Sequence, residues 1–270
     1  MFTCIEVLPE NKGFFTKLYE KIKPPAPERE YVQVRGATPF LRLKVRENNI
    51  DWREISSLLS KDERVVLKDS FLPIPEQVSL NTYIPRSLGI NIMFRTMCDV
   101  LEEADRCADI NLSVFDRDAR LIGQLEKIVP LVRNATVYTE KISEYFSCAS
   151  EIARESGMSI IINEYESERV PSSVVFADEY LPEMKCADFV FLADNRVLSF
   201  NTITGNGIFL EDEYKTLKGE SIDDFEFASA LYEMNNADFF AERDFISLSL
   251  SKKQISVGEL AEKISQAVAG

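Results

Sequence analysis

The chain has 270 residues, with 31 Lys and Arg against 45 Asp and Glu, no His, and a formal charge of −14. Its length supports a sizeable core in one large domain or two modest ones, and 45% hydrophobic with 28% charged residues is the composition of a soluble globular protein. The acidity excludes non-specific nucleic-acid binding and attachment to an anionic membrane, which both need a basic surface, and the lack of His excludes Ser-His-Asp and Cys-His catalysis and imidazole metal ligands.

Phe2–Val7 reads as a strand, and Phe14, Phe15, Leu18, Tyr19 and Ile22 recur at helical spacing. Pro24, Pro25 and Pro27 then force a loop. Tyr31–Arg35 and Phe40–Val45 read as strands around a Gly36–Pro39 turn. In the second of these, Leu41, Leu43 and Val45 alternate with Arg42, Lys44 and Arg46, which predicts a half-buried strand with a basic outer face. Such a face is solvated, binds an anion, or pairs with the acidic second region of the chain. Asp51 and Glu54 open a short helix carrying Trp52, Ile55, Leu58 and Leu59. Arg64–Lys68 is a short strand, and residues 69–86, with Pro73, Pro75 and Pro85, read as a linker.

A long helix follows over Ser87–Cys107, with Ile90, Met93, Phe94, Met97, Leu101 and Ala104 on one stripe. Strands at Ile110–Phe115, Ala135–Thr139 and Ser159–Ile162 alternate with helices carrying Leu121, Ile122, Leu125, Ile128 and Val129, then Tyr145, Cys148, Ala149 and Ile152. Val174–Ala177 and Phe189–Ala193 add two more strands. This alternation implies right-handed β-α-β crossovers and a parallel sheet. Val197–Ile203 and Ile208–Tyr214 flank Gly205-Asn206-Gly207 and predict a hairpin. Helices over Asp223–Met234 and from Ser256 onward, the latter with a Ser256/Glu259 capping box, close the chain. The expected division is an α+β domain over 1–84 and an α/β domain over 85–270.

Five Cys, at 4, 98, 107, 148 and 186, form no C-x-x-C and suggest buried thiols in a reducing compartment rather than a disulfide framework or a zinc site. The opening MFTCIEVLPE does not read as a signal peptide, and no apolar stretch is long enough to span a membrane, so a cytoplasmic protein is expected. Charge is uneven. Residues 1–100 carry net +2, residues 101–250 net −17 and the last twenty net +1.

Ligands of open parallel sheets bind beyond the strand C-termini. There the predicted strands deliver Asp116-Arg117-Asp118, Glu140, Glu164, Asp178-Glu179 and Asp194. Each acid alone is explained by capping of the next helix. Together they suggest a cleft for a divalent cation such as Mg²⁺, a cationic small molecule or a basic protein surface.

The layout over residues 110–193, with a helix before it, resembles the Rossmann-type nucleotide domain of shikimate-dehydrogenase-like enzymes. The resemblance implies a Rossmann-like, mostly parallel sheet with flanking helices, and places Glu140 where that family holds ribose. The family's G-x-G-x-x-G is replaced by F-D-R-D-A-R-L-I-G, and Asp116 and Asp118 would repel pyrophosphate, so classical NAD(P) binding is disfavoured. Locally, V-F-D-R-D-A-R-L-I resembles the D-x-D element of haloacid-dehalogenase-type phosphatases. That resemblance implies Asp116 as nucleophile and Asp118 as acid/base beside Mg²⁺, with Thr139, Lys185 and Asp178 or Asp194 in supporting roles. The leading expectation is a binding or regulatory protein on a Rossmann-like fold that lacks the phosphate loop. The competing one is an enzyme, either a diverged oxidoreductase or a Mg²⁺-dependent phosphotransferase.

Overall fold

A computed structural model of the chain describes residues 2–9, 26–47, 50–67, 74–75, 77–85, 87–105, 109–165, 172–193, 201–220, 222–235 and 237–269. These belong to two units, Met1–Leu88 with Ile208–Arg243, and Gly89–Gly207 with Asp244–Gly270. The helix expected around Phe14–Ile22 lies outside the described residues.

The first unit is built on strands β1 (Phe2–Leu8), β2 (Glu28–Val32), β3 (Phe40–Arg46), β4 (Arg64–Val66) and β5 (Asn81–Thr82), in the order β2-β3-β1-β4-β5. β1 runs parallel to β3 and β4, and β2 antiparallel to β3. The alternation in β3 has the expected effect: Leu41, Leu43 and Val45 enter a core with Ile5, Trp52, Ile55 and Val65. On its basic face, Arg42 and Lys44 pair with Glu30 of the adjacent strand, 2.6 and 3.1 Å away. Helix α1 (Trp52–Leu58) starts where predicted, because Asp51 accepts from the N–H groups of Arg53 and Glu54 at 2.9 and 3.1 Å.

The expectation of a second domain unbroken over 85–270 is corrected. Residues 208–243, with helices α4 (Asp212–Lys218) and α5 (Asp224–Asn235), fold with the first unit. The physical reason is aromatic. Phe227 sets its ring edge-on to Phe2 and Phe40, 6.5 and 5.4 Å between centroids, while those two stack at 5.0 Å.

The second unit carries an eight-stranded sheet of β6 (Asn111–Phe115), β7 (Asn134–Thr139), β8 (Ile160–Glu164), β9 (Val174–Ala177), β10 (Phe189–Leu192), β11 (Thr202–Ile208), β12 (Phe245–Leu250) and β13 (Lys253–Ile255). Its order is β13-β12-β11-β10-β9-β6-β7-β8. From β8 to β11 every neighbouring pair is parallel. Counted from β6, that run reads 3-2-1-4-5-6, the doubly wound Rossmann order, with its reversal between β6 and β9. One face buries Val114, Val137 and Phe176 against α2 (Ser87–Glu103), α3 (Ile142–Ser156) and α6 (Val257–Ala269). The other face buries Phe115, Tyr138, Val175 and Val190. α3 ends on Gly157 at φ +76°, a left-handed stop that favours glycine. Ser256 and Glu259 open α6 by exchanging hydrogen bonds at 2.9 and 3.3 Å.

Two expectations fail here. The crossover from β6 to β7 contains a 3₁₀ segment, Ile122–Ile128, in place of an α-helix. Gly123 inside it and Pro130 just beyond leave too short a run to propagate an α-helix. The Gly205-Asn206-Gly207 hairpin is absent, because those residues lie within β11. The lack of side chains at the two glycines serves packing: a Cβ on Gly205 would overlap the Phe245 ring, and Gly207, at φ +62°, lies under Ile246. The hairpin is instead β12–β13, turning on Ser251 and Lys252 at φ +52° and +71°.

Candidate functional site

The reversal between β6 and β9 makes the C-terminal ends of these strands the fold's natural ligand crevice. Asp116 follows β6 and Asp178 follows β9. The register Phe115↔Ala177 makes them cross-strand neighbours on one face of the sheet, and the ladder continues through the Asp178 N–H to the Phe115 carbonyl at 3.3 Å.

Asp116 is fully buried. Its Oδ2 accepts the Leu121 N–H at 2.7 Å and the Tyr145 hydroxyl at 2.5 Å. Its Oδ1 is buried too, with no hydrogen-bond partner among the described residues. Ala119, at φ +59°, turns the loop left-handed so that the chain can double back on this carboxylate. Asp116 thus takes a backbone N–H at the entrance to the next helical segment, the kind of donor that a phosphate takes in dinucleotide-binding folds. Burial, then the Asp116 charge, holds the Tyr145 hydroxyl well above the usual tyrosine range.

Above Asp116 sits Arg117, a residue to which sequence reasoning gives no role. Its guanidinium pairs with Glu179 and with Glu140, 3.4 Å away, and lies over the Tyr165 ring at 4.5 Å. Tyr165 donates to Asp178 at 3.0 Å, which also accepts the Glu179 N–H at 2.9 Å. Burial foremost, and the neighbouring Asp116 and Glu179 charges, raise the Asp178 carboxyl above the ordinary carboxylate value. Thr139 fixes the frame by donating to the Arg117 carbonyl at 3.3 Å and accepting from the Lys141 N–H at 3.0 Å. Glu140 and Glu179 therefore share one guanidinium, and Tyr165 links it to Asp178, the cross-strand neighbour of Asp116.

The remaining predicted residues that the structure describes do not join them. Asp118 pairs with Arg120 at 2.7 Å and is half exposed, so the two acids of the D-x-D element part company, one inward and one outward. Glu164 and Lys185 are exposed. Asp194 lies outside the described residues. Among the described residues no three Asp, Glu or Cys side chains form a group that could hold a metal ion. Of the thiols, Cys4 and Cys98 are buried as expected, Cys148 is half-buried with Sγ 3.3 Å from the Ile122 carbonyl, and Cys186 departs from the expectation in being exposed. Cys107 lies outside the described residues. Burial pushes the Cys98 thiol up to about 12, which makes it a poor nucleophile. Among the described residues no helix is long and apolar enough to cross a membrane.

Strand order and site together define a doubly wound, Rossmann-like α/β protein with a carboxylate-lined switch point. No protein-family profile matches the chain, and no curated protein sequence does. Among solved structures it is similar to the L-tryptophan dehydrogenase of Nostoc punctiforme, at 11% identity and a TM-score of 0.29, over 72% of this chain and 63% of that one. It is also similar to a shikimate dehydrogenase in complex with NADP⁺, at 9% identity and a TM-score of 0.28, over 99% of this chain and 96% of that one. The chain spans less than two thirds of the tryptophan dehydrogenase. Similarity at this level carries no functional argument, and the fold assignment stands on the chain's own strand order.

Proposed function

We propose that this is a cytosolic binding or regulatory protein whose switch-point crevice receives a cationic group instead of a nucleotide. One observation carries the reading: the ends of β6, β7 and β9 bring four carboxyl groups to one edge, where Glu140 and Glu179 pair with Arg117, Tyr165 holds Asp178, and Asp116 is the cross-strand neighbour of Asp178. The cluster keeps a net negative charge after Arg117 is counted, so it attracts cations and repels pyrophosphate. Two features of a dinucleotide site are already used internally. The Leu121 N–H is spent on the Asp116 carboxylate, and Glu140, in the position of a ribose acid, is engaged by Arg117. A Mg²⁺ phosphotransferase is less well supported, since its two acids point apart. A diverged oxidoreductase remains the competing reading, and one experiment separates them. A thermal-shift panel of NAD(H), NADP(H), ATP, Mg²⁺ and small organic cations should give saturable stabilisation with a cation and none with a nicotinamide cofactor. A clear cofactor shift would overturn the proposal.

A further inference from the structure

The crevice holds one acceptor that the protein leaves unused. Asp116 Oδ1 is buried and has no hydrogen-bond partner among the described residues, although its sister oxygen has two. Buried carboxylate oxygens are normally satisfied, so a lone one marks the place of a missing donor. The neighbouring acceptor is Asp178, the cross-strand residue on the same face, whose charge and that of Asp116 act on one another and on Tyr145. Resting on the proposed cation-binding reading, we infer that the donor is a primary ammonium group of a small-molecule ligand, held between Asp116 Oδ1 and Asp178.

The chemistry selects among cations. A divalent ion needs several oxygen ligands, and among the described residues no group of three acids or thiols is assembled for one. A guanidinium is a planar fork suited to bidentate pairing at exposed carboxylates, and Arg117 already fills that role with Glu179 and Glu140. An ammonium is compact and tetrahedral. It can give one N–H to Asp116 Oδ1, one to Asp178, and keep a third for water or another ligand atom. The two carboxylates supply its counter-charge. Arg117, with a side chain 40% exposed, is joined to Asp178 through Tyr165, so the ligand's remainder would follow that side chain to solvent.

The test uses the intact chain at fixed ionic strength, with thermal shift and calorimetry. The probes are n-propylammonium, methylguanidinium, Mg²⁺ and tetramethylammonium, the last having the charge but no N–H donor. Propylammonium should bind saturably and tetramethylammonium should not. Asp116→Asn should weaken propylammonium binding about tenfold or more, the loss expected for a charged hydrogen bond. Asp178→Asn, which leaves the Asp116 contacts in place, should weaken it as well and keeps the test valid if the first variant does not fold. Stronger binding of methylguanidinium or Mg²⁺ than of propylammonium overturns the ammonium assignment while leaving the cation-binding reading standing. Equal response to tetramethylammonium also overturns it. Failure of every cation removes both.

Discussion

Replacing Tyr145 by Phe removes one oxygen and little else. The ring is fully buried and would keep its place beside Ala149 and Ile152 in the α3 core. What is lost is the 2.5 Å hydrogen bond from the hydroxyl to Asp116 Oδ2. A buried hydrogen bond to a charged group contributes about 1.5–3 kcal/mol. Asp116 has little in reserve, since its Oδ1 is without a partner among the described residues and only the Leu121 N–H would remain. Tyr145→Phe should therefore destabilise the second unit by about 2 kcal/mol at pH 7. In a unit of this size that corresponds to a fall of about 4–8 °C in Tm. Urea unfolding followed by far-ultraviolet circular dichroism should show a lower midpoint with an unchanged slope. The substitution should also soften the alkaline limit. Because burial raises the Tyr145 hydroxyl in the folded state, the stability it contributes is complete below pH 10.0, the ordinary tyrosine value, and is lost as the pH climbs above it. The variant should lose less stability than the parent over that range. A midpoint within error of the parent would refute the claim that Tyr145 holds the buried carboxylate.

Asp178→Asn keeps an acceptor for Tyr165 and for the Glu179 N–H but removes a buried charge beside Asp116. The folded carboxyl is raised above 3.8, so its contribution is complete below that pH and lost as pH rises through the folded value. The variant should accordingly melt higher than the parent at pH 7, with the gap closing toward pH 3.8; a lower Tm at neutral pH would contradict the assignment. Phe227→Ala should cost about 3–5 kcal/mol of the first unit's stability. The single Trp, Trp52, lies in that unit's core and reports it, and an unshifted Trp52 fluorescence transition would place residues 208–243 elsewhere. Gly205→Ala forces its Cβ into the Phe245 ring and should destabilise by about 1–3 kcal/mol, an effect that Phe245→Ala should largely remove in the double variant measured by thermal melting.

The sheet of the second unit was legible because its strands are short apolar runs separated by helical periodicity, as at Leu112–Val114 and Val174–Ala177. Caps were equally local: Asp51 and the Ser256/Glu259 pair behave as their spacing predicts. Non-local information was not legible. Nothing in the Phe227 neighbourhood announces that its partners are Phe2 and Phe40, so the return of residues 208–243 to the first unit could not be read. The Ser251-Lys252 turn uses positive φ without glycine, which hides β12–β13, while Gly205 and Gly207 mimic a turn though their smallness accommodates Phe245 and Ile246. At the site, the strand ends were found by position. The sequence carries no sign that Asp116 turns inward and Asp118 outward. Arg117 is the one basic residue in the predicted acidic row, a signal that could have marked it although the sequence reading gives it no role. Tyr165 had none.

The central claim is that the switch point receives a cation where related folds receive a nucleotide. Calorimetric titration of the intact chain with propylammonium and, separately, with NADPH tests it most directly. The account predicts saturable binding of the amine and no heat with NADPH. Saturable NADPH binding with no response to the amine would contradict it.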